Sequence, residues 1–163
     1  MKKIIALICT AVVLVLVAVN RGAMTEQEQL AQSRQLAVLK GDTEQVYLYS
    51  EEDENFISFD TQMKRRNGDV FDKNYTGIQL QYILQELDVA VTDDLQVSAV
   101  CADNYEITLT GSEIAADGNV WLVTQENSLP LENGTFMLVV NNDEFSTRWA
   151  QNVVQIKINE KQN

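Results

Sequence analysis

Tyr75 to Tyr105 reads YTGIQLQYILQELDVAVTDDLQVSAVCADNY. Two periods follow one another in this stretch. Leu80, Ile83, Leu84 and Leu87 recur at helical spacing, which predicts a helix opened by Tyr75-Thr76-Gly77 and closed at Asp88-Val89. Leu95, Val97, Ala99 and Cys101 then alternate, as along a half-buried strand, and Asp103-Asn104-Tyr105 turns the chain. A helix feeding a strand and a turn, in a chain otherwise made of short apolar runs, predicts an α+β domain built on a mixed or antiparallel sheet.

Toward the C-terminus, Glu106 to Leu109 is a second strand, and Thr110 with Glu113 forms a capping box before a short helix around Ile114. Val120 to Val123 reads as a buried strand. Pro130-Leu131 and Asn133-Gly134 make a turn before a strand from Phe136 to Val140, and Asn141-Asn142-Asp143 is a further turn. The last strand is expected to point Val154, Ile156 and Ile158 inward and Gln155 and Lys157 outward. Toward the N-terminus, Asn67-Gly68 is a hairpin turn signal, so segments 61–66 and 69–75 should pair. Phe56 to Phe59 opens the preceding element, and Val46 to Tyr49 is a short strand. The run Glu51-Glu52-Asp53-Glu54 lacks the alternating ligand spacing and turn glycine of a calcium loop and reads as a solvated loop.

The domain is expected over residues 42–160. Residues 25–41 read as a helical spacer, with Thr25 and Glu28 as a capping box and Leu30, Leu36 and Leu39 on one face. Residues 1–24 read as a membrane helix. Lys2 and Lys3 precede an apolar run from Ile4 to Val19, the pattern of a secretory signal or an N-terminal anchor. Leu16 would stand at the −3 position of a cleavage after Ala18, so an uncleaved anchor is favoured and secretion after cleavage is the alternative. Cys9 is an apolar filler. The two lysines hold the N-terminus in the cytoplasm, which places the domain outside the cell membrane.

Composition narrows the chemistry. Beyond residue 23 the chain holds nine Lys and Arg against 24 Asp and Glu. Such a surface repels nucleic acid, so no nucleic-acid partner is expected. Beyond residue 24, Cys101 is the only cysteine, and the chain has no histidine. Ser-His-Asp and Cys-His catalysis, HExxH zinc sites and histidine-ligated haem are therefore excluded.

The same segments, in register, resemble the molybdopterin-binding domain of sulfite-oxidase-type oxidoreductases. The matching pieces are Tyr75-Thr76-Gly77-Ile78-Gln79-Leu80, Ala102-Asp103-Asn104-Tyr105, Trp121 to Val123 leading to Asn127-Ser128-Leu129-Pro130-Leu131, Gly134 to Val140, and Arg148-Trp149 before Val153 to Ile158. The match spans residues 42–158. It implies a molybdopterin cofactor and oxidoreductase chemistry. This chain departs from the family where that chemistry resides. Catalytic members place a metal-ligating cysteine before the Y-T-G motif, and residues 42–74 contain none. A soft thiolate holds and tunes such a metal, so neither a metal ligand nor a catalytic residue is assigned. The cofactor is suggested by the resemblance only.

Six positions are candidates for binding. Arg65 and Arg66, with Lys64, form a basic cluster that suits an anion, although charge runs are more often solvated hairpin flanks. Tyr105 and Trp149 fall on the two motifs that approach the family's pocket, and aromatics there are more often core. Arg148 is an isolated cation in the final third of the chain, and Asp103 is equally suited to forming the turn. The resulting expectation is a tethered, extracytoplasmic, non-catalytic binding or accessory module of a surface redox system, with an anionic small ligand or a redox protein as partner. The alternatives are an active molybdopterin-dependent oxidoreductase and a purely structural interaction domain.

Overall fold

The computed structural model describes residues 35–131 and 136–159. The apolar run 4–19, the spacer's start at Thr25 and the Asn133-Gly134 turn lie outside the described residues. Among the described residues, no helix is long and apolar enough to cross a membrane.

Strands make up 54% and helices 12% of these residues, so the α+β expectation is corrected to a mainly β fold on a mixed sheet of ten strands. The strands are β1 (Gln35–Lys40), β2 (Thr43–Leu48), β3 (Ile57–Lys64), β4 (Val70–Gln79), β5 (Gln96–Cys101), β6 (Glu106–Thr110), β7 (Val120–Glu126), β8 (Leu129–Pro130), β9 (Phe136–Val140) and β10 (Ala150–Asn159). Two short helices, α1 (Leu80–Glu86) and α2 (Gly111–Ala115), and a 3-10 turn at Ser146–Arg148 complete it.

β10 is the hub. One of its edges carries β5, with β6 outside it; the other carries β9 at Ala150 and Val153 and then β1, in parallel, from Gln155 to Ile158. The remaining order runs β9-β7-β4-β3 on one side and β1-β2 on the other. The expected spacer helix over 25–41 is therefore corrected at its C-terminal end. Leu36 and Val38 alternate into the core, at 0% and 1% exposure; both pair with β2, and Val38 pairs with β10 as well. The spacing of Leu36 and Leu39 suits one face of a helix, but the pairing partners make the stretch a strand that turns the two leucines to opposite faces.

The Tyr75-Thr76-Gly77 stretch is a second correction. It does not open the helix but forms the end of β4, and α1 begins only at Leu80. Gly77 pairs with Ile57 on one side and Val123 on the other. A Cβ there would lie 2.3 Å from the Leu122 carbonyl oxygen and 2.6 Å from the Val123 Cα, so the close strand approach requires glycine. The third correction is Val154, expected inward and found 42% exposed. Asn152 takes a positive φ of 59°, and the ladder registers shift between Ala150 and Val153 and again between Val153 and Gln155. This bulge puts Val153 into the core instead.

Two apolar layers result. Leu36, Ile78, Ile83, Leu84, Leu109, Leu122, Phe136, Leu138 and Ile156 belong to the main core, under α1. Tyr75, Trp121, Val123, Met137 and Val139 occupy the other face of the sheet. The β3–β4 hairpin covers that second face by bending back over it. Residues 70–74 run past the Glu126 end of β7, yet Thr61 Oγ1 donates to Asn141 Oδ1 at 2.8 Å, near the opposite end. Phe59 stacks on Trp121 with centroids 4.1 Å apart, and the Lys64 N–H donates to Ser146 Oγ at 3.0 Å.

Candidate functional site

The Asp103–Tyr105 turn is built by local chemistry. The Cys101 N–H donates to the Tyr105 carbonyl, the Tyr105 N–H to Asp103 Oδ1 at 3.0 Å, and Asn104 accepts a φ of 66°. Asp103 is thus the turn former anticipated for it. The Ala102 N–H donates to the Asn152 carbonyl at 2.9 Å, so the turn is tied to the β10 bulge. Between them lies a pocket of about 390 Å³, lined by Cys101, Asp103, Tyr105, Trp149, Ala150, Gln151 and Asn152. That volume is within the range of small-molecule sites.

The structure therefore brings Asp103, Tyr105 and Trp149 together. Tyr105 is 53% exposed at the pocket, more than a core aromatic would be. Trp149 is anchored by its Nε1–H, which donates to the Val140 carbonyl at 3.0 Å, and by an edge-on contact with Tyr75. Gln151, Asn152 and Cys101 also line the pocket. The two amides were not foreseen, because a bulge in β10 aims them there and no local residue pattern announces it.

The arginines are placed elsewhere. Arg65 and Arg66 are exposed at the tip of the β3–β4 hairpin, where the Arg65 guanidinium lies 4.9 Å from the centroid of the Phe71 ring. Neither lines the pocket, nor does Arg148. Arg148 is committed to two carboxylates. Its Nε donates to Asp143 Oδ2 at 2.8 Å, and its Nη2 to Asp143 Oδ1 and to Glu113 Oε1, the latter at 2.6 Å. The bonds to Asp143 outweigh partial burial and, with Glu113, raise the guanidinium pKa further. Burial alone would raise the Glu113 carboxyl, but bonds from Arg148 and Thr110 hold it below its ordinary range. Glu113 completes the expected capping box with Thr110, so one carboxylate caps α2 and pins Arg148.

The comparisons with known proteins agree with the architecture and go no further. No protein-family model matches the chain, and no curated protein does. Among solved structures, the sulfane dehydrogenase SoxCD from Paracoccus pantotrophus is similar, with a TM-score of 0.62 at 15% identity. The likeness covers 85% of this chain and 40% of that one, so the chain spans well under half the length of that protein. At this identity the likeness concerns the fold alone.

The described residues do not fit the cofactor that the sequence resemblance implies. A metal held as in the resembling family needs a soft thiolate. Cys101 is 4% exposed, and burial, then the charge of Asp103, push its thiol up and away from the thiolate form. An anionic group is held most strongly by a cation that can donate to it. The pocket lining instead supplies a carboxylate, a phenol, an indole and two amides.

Proposed function

We propose that this chain is a membrane-tethered, extracytoplasmic domain of molybdopterin-binding type that acts as a non-catalytic binding or accessory module of a redox system at the membrane surface. One observation carries the non-catalytic part. Arg148, the cation best placed by sequence to hold an anionic cofactor, has its Nε and Nη2 donors on Asp143 and Glu113. Releasing it would leave two partly buried carboxylates without their counter-charge, which is costly. The lack of a cysteine in residues 42–74 supports the same reading. The tethered, outward placement is supported by Lys2, Lys3 and the apolar run from Ile4 to Val19.

The pocket itself suits an uncharged or cationic group better than an anion, because Asp103 is its one charged wall among the described residues. The test is the pterin content of the full chain, purified from membranes of a host that makes the cofactor. Oxidation converts bound pterin to a fluorescent product, and no such fluorescence is expected above that of a denatured control. Stoichiometric pterin would instead favour the active oxidoreductase. External protease should reach residues beyond Arg21 in spheroplasts, and full protection would contradict the outward placement.

A further inference from the structure

β2 ends the strand order, and among the described residues it pairs with β1 alone. An open edge of this kind is a template for another strand, and proteins usually blunt it. The other outer strands here are blunted. β8 carries Pro130. β6 turns out Glu106, Thr108 and Thr110, with Glu106 paired to Lys157 at 3.6 Å. β3 ends in Lys64, whose N–H is taken by Ser146. β2 has no lysine, no proline and no break in its register.

Its side chains reinforce the point. Val46 is 51% and Leu48 63% exposed, on the face shared with Ala37 and Leu39 of β1. The two-residue loop Gly41–Asp42 makes Lys40 and Thr43 a hydrogen-bonded pair. Alternation along the ladder then turns the backbone N–H and C=O of Glu44, Val46 and Leu48 away from β1. Exposed carboxylates stand at both ends of the strand, Asp42 and Glu44 at one and Glu51, Glu52 and Glu54 just past the other. A second copy would bring the same acids together and be repelled.

We infer that the edge of β2 left open among the described residues docks an extended, basic segment of a partner protein by strand addition, with apolar residues of that segment seated beside Val46 and Leu48. Main-chain bonds to Glu44, Val46 and Leu48 supply the binding, and the flanking acids select the charge. This rests on the accessory-module reading, whose partner class it names. Pterin content tests that reading separately, so a cofactor-free chain that ignores the probe would sink the docking edge alone.

The probe is a fluorescent hexapeptide alternating arginine and valine, titrated by anisotropy against the full chain in detergent at physiological ionic strength. Binding is expected to weaken by at least about tenfold when alternate peptide amides are N-methylated, which keeps the charge and removes the pairing. The double variant Val46→Lys, Leu48→Lys should lose binding to a similar degree, and both positions are exposed enough for the fold to tolerate the change. Hydrogen exchange at Glu44, Val46 and Leu48 should slow on binding. Equal affinity for the N-methylated peptide would mean charge adsorption and overturn the inference. So would no binding, protection confined to another segment, or a dimer of the chain that the double variant disperses.

Discussion

Arg148 grips Asp143 with two donors at once, its Nε on Oδ2 and its Nη2 on Oδ1, and the same Nη2 reaches Glu113 across 35 residues of sequence. This fork ties the loop before β10 to the first turn of α2. The side chains involved are about one-third exposed or less. Arg148→Ala is therefore expected to cost about 1–2 kcal/mol, between an exposed pair and a fully buried one. Arg148→Lys should recover only part of it, since a single ammonium cannot form the fork. Urea unfolding midpoints measure both, and an unchanged midpoint in the alanine variant would show that the fork contributes nothing.

Acid and base should act on this fold through different carboxyls. Glu113 has a lowered pKa in the folded state, so its contribution is present above the unfolded value and fades as pH falls through the folded one. Glu86 is the opposite case. Desolvation, then a hydrogen bond and charge repulsion from Asp53, raise its pKa, so the folded state holds its proton more tightly and stability falls as pH rises through the raised value. Glu86→Gln should thus stabilise the domain at neutral pH and give no gain below the ordinary glutamate range. Unfolding midpoints across that range, compared with the parent, are the check; a gain independent of pH would point to some other cause.

Gly77→Ala should be among the most damaging single-methyl changes in the chain. The added Cβ meets backbone atoms of Leu122 and Val123, which cannot swing aside like a flexible side chain. A loss of at least about 2 kcal/mol is expected, with β3, β4 and β7 losing hydrogen-exchange protection together. A loss below about 0.5 kcal/mol would mean that the strands separate easily, contrary to their packing.

Cys101 should react slowly with thiol reagents in the native protein. It is buried, its thiol is held protonated, and only its edge reaches the pocket. The modification rate should follow unfolding as denaturant is added. Rapid labelling without denaturant would revive a redox role for this residue.

How far the fold was legible depended on whether a signal was local. The Asn67-Gly68 hairpin, the Thr110–Glu113 capping box and the strand through Val97, Ala99 and Cys101 are written in neighbouring residues, and each appears in the structure, although Ser98 and Val100 are buried as well and the strand is not half-buried as its alternation suggests. β1 is fixed from two sides, by its hairpin to β2 and by β10 more than a hundred residues away, and the second of these is not legible locally. Tyr75 to Gly77 looked like a helix start because the apolar spacing of α1 was extended backward over a strand. The site was legible in the same partial way. The Asp103–Tyr105 turn and Trp149 line one pocket. Arg148 looked isolated because its partner Glu113 is distant in sequence and Asp143 sits in what read as a turn. Arg65 and Arg66 are carried to the hairpin tip by the length of β3 and β4, which the turn signal alone does not specify.

We propose that this fold carries no metal centre. Its most direct test is the molybdenum and tungsten content of the full chain, purified without chelator from a host that makes the cofactor and is supplied with both metals. A content indistinguishable from that of an unrelated protein purified in parallel is expected. Either metal near one per chain, retained through gel filtration, would contradict it and make the chain an oxidoreductase with a metal site that does not use cysteine.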